Sequence, residues 1–212
     1  MKKAIITGAS SGLGLEVGKI FAKKNFEVIN LSRTKSQFQN ILLDLSDDKS
    51  ISKAIKQIKK NHTAFDVLIL NSGIMPLGKV GEIEFNLDHM FKVNITGSIK
   101  LVNGLLDLAK KNKSDIVFVG STASLKGVED HSAYCASKHA VEGFIKSLQA
   151  ELKNEPVRVI GFHPGGFNSN LRGGIIKEGY MEPKDLAKLM LHILELPKTL
   201  EVSEVIINRK KA

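Results

Sequence analysis

A phenol and a primary amine stand four residues apart at Tyr134 and Lys138. That spacing puts both on one face of a helix, and Val141 and Ile145 continue the face as the side that packs on a sheet. A phenol titrates near pH ~10 and trades protons poorly at neutral pH, but a nearby ammonium favours its ionised form. The pair therefore has the makings of a general acid and base. Other reactive types lack partners. His131 and His163 have neither an i+4 ligand nor a flanking cluster, so they read as ordinary loop and strand-end histidines and no metal site is expected. Cys135 has no activating base and reads as packing.

A second constellation lies at the amino terminus, in Thr7-Gly8-Ala9-Ser10-Ser11-Gly12-Leu13-Gly14. It follows a β-branched run and opens an apolar-periodic helix. Glycines in such a turn serve tight geometry, close backbone approach to a pyrophosphate and helix-to-strand packing. The helix beginning near Gly12 offers unbonded N–H groups and its positive dipole end to phosphate oxygens. The spacing differs from G-x-G-x-x-G, and the Gly-Lys-Ser/Thr of a nucleoside triphosphatase loop is absent.

The elements that must position these residues alternate along the chain. Apolar runs at 3–7, 26–31, 41–43, 67–70, 116–119, 157–162 and 202–207 read as strands. Helical periodicity covers about 12–24, 47–60, 84–111, 134–153 and 183–194. Continuous apolar strands separated by helices predict a parallel sheet covered on both faces. The expected fold is α/β: a doubly wound, Rossmann-like parallel sheet in three αβα layers, with residues 1–212 forming one domain. Ser121 then falls just past the fifth strand, at the carboxyl edge where such sheets bind ligands.

Taken in order, these motifs resemble the short-chain dehydrogenase/reductase family along nearly the whole chain. Thr7-Gly8-x-x-x-Gly12-x-Gly14 matches its amino-terminal signature, and Asp44-Leu45 looks like its adenine-contacting pair. Asn71-Ser72-Gly73 resembles its Asn-Asn-Ala-Gly motif, with departures at the second and third positions. Pro164-Gly165, with Ser169 in place of threonine, resembles its late motif beside the nicotinamide. Asn94, Ser121, Tyr134 and Lys138 match its catalytic tetrad, and the thirteen-residue separation from Tyr134 selects Ser121 over Thr122 and Ser124. The resemblance implies that Ser121 holds the substrate oxygen and Tyr134 donates the proton. It also implies that Lys138 binds the nicotinamide ribose and Asn94 anchors a relay water. The expected reaction is hydride transfer between a nicotinamide nucleotide and a carbonyl or alcohol.

No acid occurs between Val28 and Phe38, where an NAD-preferring site places a carboxylate for the ribose 2′-hydroxyl. Arg33 instead offers a planar fork suited to a 2′-phosphate, with Ser32 and Thr34 as further donors. NADP(H) is the expected cofactor, with NAD(H) the alternative. Position 11 is Ser11 rather than the basic residue that often accompanies NADP preference in the family. A short segment at 170–182, containing three glycines, is expected to serve as a substrate lid, where Arg172 either meets an acidic substrate or stands solvated.

The net charge of +9 is spread in pairs such as Lys23-Lys24, Lys59-Lys60 and Lys110-Lys111 near helix ends, without interleaved aromatics. That describes a solvated surface rather than a nucleic-acid face. No stretch approaches the ~20 apolar residues of a membrane span, and a lone cysteine accords with a cytoplasmic protein. Apolar residues almost all round the 84–111 helix, and a face of small residues with one aromatic on the Tyr134 helix (Ala136, Ala140, Gly143, Phe144 and Ser147), predict extra burial. The family pairs these two helices, so a homodimer or homotetramer is expected. A non-catalytic cofactor sensor of the same fold is the alternative from another class.

Overall fold

The computed structural model describes residues 1–169, 171 and 176–210. Seven strands form one parallel sheet: β1 Lys2–Thr7, β2 Phe26–Ser32, β3 Gln39–Leu42, β4 Val67–Leu70, β5 Asp115–Val119, β6 Arg158–Pro164 and β7 Glu204–Ile207. Their order across the sheet is β3-β2-β1-β4-β5-β6-β7. The direction of travel reverses between β1 and β4, which opens a crevice at the carboxyl edge. The helices are α1 Gly12–Lys23, α2 Asp48–Asn61, α3 Leu87–Phe91, α4 Gly97–Lys111, α5 Ser132–Glu151 and α6 Pro183–Glu195. The doubly wound fold expected from the sequence is the fold found.

Strand periodicity divides the core into two layers. Ile5, Ile29, Leu68, Ile116 and Phe118 pack with residues of α2, α4 and α5 on one face. Ala4, Ile6, Val28, Ile69 and Val117 pack with α1 and α6 on the other. All residues of β4 and β5 are buried, which is why their sequences are continuous apolar runs and do not alternate. Each fully buried Ile, Leu or Phe contributes roughly 1.5–3 kcal/mol. Local signals set the helix ends. Asp47 caps α2 by accepting from the Lys49 N–H, and Lys59 and Lys60 lie at its negative end. Pro183 opens α6 at its first turn.

The helix expected over 84–111 is divided. Its start moves to Leu87 because the Asn86 side chain accepts from the His89 N–H and caps it there. A π-helical turn over Lys92–Thr96 then separates α3 from α4. Such turns concentrate at functional sites, and this one carries Asn94. The helix is also less free than its composition suggests: Met90, Ile95, Leu101, Val102 and Leu105 are buried by the chain's own core.

Candidate active site

The glycine-rich turn is locked to the end of β4. Thr7 Oγ1 accepts from the backbone N–H groups of Asn71 and Ser72 at 2.9 and 3.0 Å, and Asn71 Nδ2 donates to the Thr7 carbonyl at 3.0 Å. Gly8 has a φ of +73°, and a Cβ there would stand 2.8 Å from Ser72 Oγ. Gly12 also has a positive φ, +54°, with nothing within 4 Å of a would-be Cβ, so its backbone faces open space. Gly14 is the packing glycine: a Cβ would lie 2.4 Å from the Gly8 carbonyl oxygen. Ser11 precedes α1 and its side chain makes no capping bond, leaving first-turn N–H groups available to an anion. Gly8, Ser11, Gly12 and Leu13 line a single long cleft with Asn71, Ser72 and Gly73.

At one end of this cleft lie Ser32, Arg33, Asp44 and Leu45. Arg33 is mostly exposed and its guanidinium is 3.8 Å from Asp44 Oδ2. Asp44 Oδ1 accepts from the Ser46 hydroxyl and N–H at 2.6 and 2.8 Å. These bonds, with the Arg33 charge, hold the Asp44 carboxyl below its ordinary range. Two expected neighbours are spent locally. Thr34 N–H donates to Ser32 Oγ, and Ser10 Oγ bonds Ser32 Oγ at 3.2 Å, and neither Thr34 nor Ser10 lines the cleft.

At the other end, α5 brings Tyr134 and Lys138 against the end of β5, both almost fully buried. The Lys138 ammonium donates to the Val119 carbonyl at 3.1 Å and lies 5.8 Å from the Tyr134 ring centroid. Burial lowers its pKa from 10.5 to about 8. Ser121 caps the short 3₁₀ turn Thr122–Ser124, its Oγ accepting from the Ala123 N–H at 3.1 Å. With one of its two lone pairs so engaged, the hydroxyl proton remains for another acceptor in the cleft. Ser124 is buried and used in that turn, its Oγ accepting from the Ser121 N–H at 3.3 Å. Pro164, Gly165 and Ser169 complete this end.

Asn94 lies in the π-helical turn Lys92–Thr96. It is buried outside the cleft lining, its Oδ1 accepting from the Ile74 N–H at 2.8 Å. Its Nδ2 donates to the Ile74 carbonyl at 2.9 Å and to Ser137 Oγ at 3.0 Å. It therefore clamps the segment after Gly73 to α5.

The sequence model of short chain dehydrogenases matches residues 2–178. The chain belongs to that family. Among its relatives is an uncharacterised oxidoreductase of Staphylococcus saprophyticus, 25% identical, covering 97% of this chain and 96% of the relative. A dehydrogenase/reductase SDR family protein 7-like of Anopheles gambiae is 30% identical over 80% of this chain and 60% of its own length. Solved structures share the fold. An alcohol dehydrogenase from the archaeon Thermococcus sibiricus, complexed with 5-hydroxy-NADP, superposes with a TM-score of 0.91. It is 23% identical, covering 98% of this chain and 96% of its own. The 3-ketoacyl-(acyl-carrier-protein) reductase of Brucella melitensis, complexed with NADH, gives 0.86 at 22% identity, covering 98% and 96%. This short-chain dehydrogenase is an oxidoreductase of a fold that holds nicotinamide nucleotides.

Several lining residues escape a reading of the sequence alone. Met75 packs on the Ala123, Tyr134 and Cys135 cluster, and Val128, Phe167 and Leu171 line the same end. His131, read as a loop histidine, lines the cleft with its ring 6.4 Å from that of Tyr134. The available signal was its position three residues before Tyr134. Arg172, with residues 170 and 173–175 of the expected lid, lies outside the described residues. The base of that segment is tied by a bridge between Phe167 and Met181. Among the described residues no three His, Cys, Asp or Glu gather as metal ligands, and no helix is long and apolar enough to cross a membrane.

Proposed function

We propose that this short-chain dehydrogenase is an NADP(H)-dependent carbonyl reductase, or alcohol dehydrogenase in reverse, with Tyr134 as its general acid and base. The observation that carries the reading is the convergence of a buried ammonium, a buried phenol and a serine hydroxyl at one end of a cleft. A dinucleotide fits the residues present. The open backbone at Gly12 and the free first turn of α1 receive its phosphates, and Pro164, Gly165 and Ser169 flank its nicotinamide. Asp44 and Leu45 bound the adenine, and Arg33, which has solvent access and only a weak ion pair with Asp44, is free to turn to a 2′-phosphate. When bound, the nucleotide supplies the hydride. Ser121 holds the carbonyl oxygen, Tyr134 protonates it as charge develops, and Lys138 favours the phenolate that results and holds the ribose.

The exposed small residues of α5, Ala136, Ala140, Gly143 and Ser147, support a homodimer or homotetramer built on this helix. The segment 170–182 is read as a cover over the substrate end.

The test is NADPH consumption over aldehydes, ketones, quinones and acyl-carrier ketones, preceded by fluorescence titration with NADPH and NADH. Tyr134→Phe abolishes turnover and leaves NADPH binding within about twofold. Undiminished turnover by that variant would sink the reading, and tighter binding of NADH than NADPH would sink the cofactor assignment.

A further inference from the structure

Behind the candidate site lies a buried polar seam that the proposed chemistry does not use. Tyr134, Lys138, Glu142 and Lys146 follow one another at four-residue intervals along α5, so they form one stripe on the helix. Under that stripe, on β6, lies His163, whose side chain is wholly buried. Its Nε2 is 3.1 Å from Glu142 Oε2, a close approach that is not aligned as a regular hydrogen bond. The other charged groups around the pair are Lys138 and Lys146 on α5 and Glu204 on β7. Lys146 reaches Glu142 at 3.1 Å and Glu204 at 3.6 Å.

The imidazole occupies a slot made by two missing side chains. A Cβ at Gly120 would stand 2.4 Å from His163 Nδ1, and one at Gly161 would stand 2.4 Å from Nε2. Gly120 sits between Val119, whose carbonyl receives the Lys138 ammonium, and Ser121. The ring thus backs the strand end that carries Ser121 and, through the Val119 carbonyl, receives the Lys138 ammonium. Burying an imidazole and a carboxyl without well-aligned partners costs more than an apolar filling of the same slot. Such a cost calls for a reason.

We propose that Glu142 and His163 are positioning residues of this site. Glu142 holds the imidazole in the glycine slot, and the imidazole fixes the Val119–Ser121 strand end and, through the Val119 carbonyl, the Lys138 ammonium. The inference rests on the reading of Tyr134 and Lys138 as the acid–base pair.

Its test needs no substrate. The chain has two tyrosines and no tryptophan, so in a Tyr180→Phe background the ultraviolet difference spectrum of phenolate reports Tyr134 alone. If the pair holds the ammonium, His163→Gln and Glu142→Gln each raise the half-titration pH of Tyr134 by about half a unit or more, because a displaced ammonium favours phenolate less. Loss of the Glu142 charge by itself would move the half-point down, so a rise is positional. The double variant rises no further than the larger single, since the two act as a unit. Variants that melt earlier but titrate unchanged would make the seam merely structural and overturn the proposal, as would additive shifts. Should His163→Gln fail to fold, the same-shaped Glu142→Gln carries the measurement. Lys138→Met is the control. No shift there condemns the acid–base reading itself, whereas a shift there with none in the seam variants condemns only this inference.

Discussion

Replacing Lys138 by methionine removes an ammonium and keeps a chain of similar length. The ammonium lies 5.8 Å from the Tyr134 ring centroid in an almost fully buried setting. Taking the ring centroid as the centre of the phenolate charge, and an effective dielectric constant of about 20, two unit charges at that separation interact by about 3 kcal/mol. At 1.36 kcal/mol per pH unit, the half-titration pH of Tyr134 should rise by up to about two units in the variant, and by less to the extent that Lys138, with its pKa of about 8, has already lost its proton where the phenol ionises. The measurement is the phenolate difference spectrum in the Tyr180→Phe background, with circular dichroism to confirm that both proteins stay folded across the range. Added salt should leave most of the difference in place, because buried pairs are screened far less than exposed ones. A change below about half a unit would refute the claim that this lysine tunes this phenol.

Arg33→Asp should move cofactor preference from NADPH toward NADH by about 10- to 100-fold in the ratio of dissociation constants, the range expected when a charge-assisted hydrogen bond to the 2′-phosphate is replaced by repulsion. An unchanged ratio would mean that the 2′-phosphate is held elsewhere. Asn94→Ala leaves the Ile74 backbone without its partners and should cost about 2–3 kcal/mol in urea unfolding; a cost near zero would show that the clamp is dispensable. Carbonyl reduction should fall as pH rises through about 8, where Lys138 gives up its proton. A rate constant flat to pH ~10 would separate that lysine from catalysis. Sedimentation at micromolar concentration should give a dimer or tetramer, and a monomer would reject pairing through α5.

The parallel sheet was legible because β4 and β5 are buried on both sides and spell that out as unbroken apolar runs. The glycine turn was legible because Gly8 and Gly12 take backbone conformations that few other residues adopt. Tyr134 and Lys138 could be paired because helical spacing is local. What stayed hidden depends on packing between distant segments. Nothing in the vicinity of Asn94 says that its amide will grip Ile74, twenty residues away. Likewise His163 reads as a strand-end histidine until Gly120, Gly161 and Glu142 are seen around it. The apolar end of the cleft, from Met75 to Phe167, is assembled from loops, whose sequences carry no period.

Lys138 also allows stability and chemistry to be separated. Its pKa falls from 10.5 to about 8 on burial, so between those limits the unfolded chain binds the proton that the folded chain has lost. Stability from this group therefore rises as pH climbs from about 8 toward 10.5. Below about 8 the folded protein carries the buried ammonium at a cost of about 3 kcal/mol, the free-energy equivalent of the change from 10.5 to about 8. Lys138→Met should accordingly be more stable than the parent at neutral pH, by up to that amount, and the advantage should shrink as pH is raised. The same variant should have no useful turnover, which is the pattern expected where an active group is kept against the interest of the fold. Urea unfolding at pH 7 and pH ~10 decides it. A variant less stable than the parent at pH 7 would mean that the Val119 carbonyl and its neighbours repay the burial of the charge, and that this lysine is a structural asset as well as a chemical one.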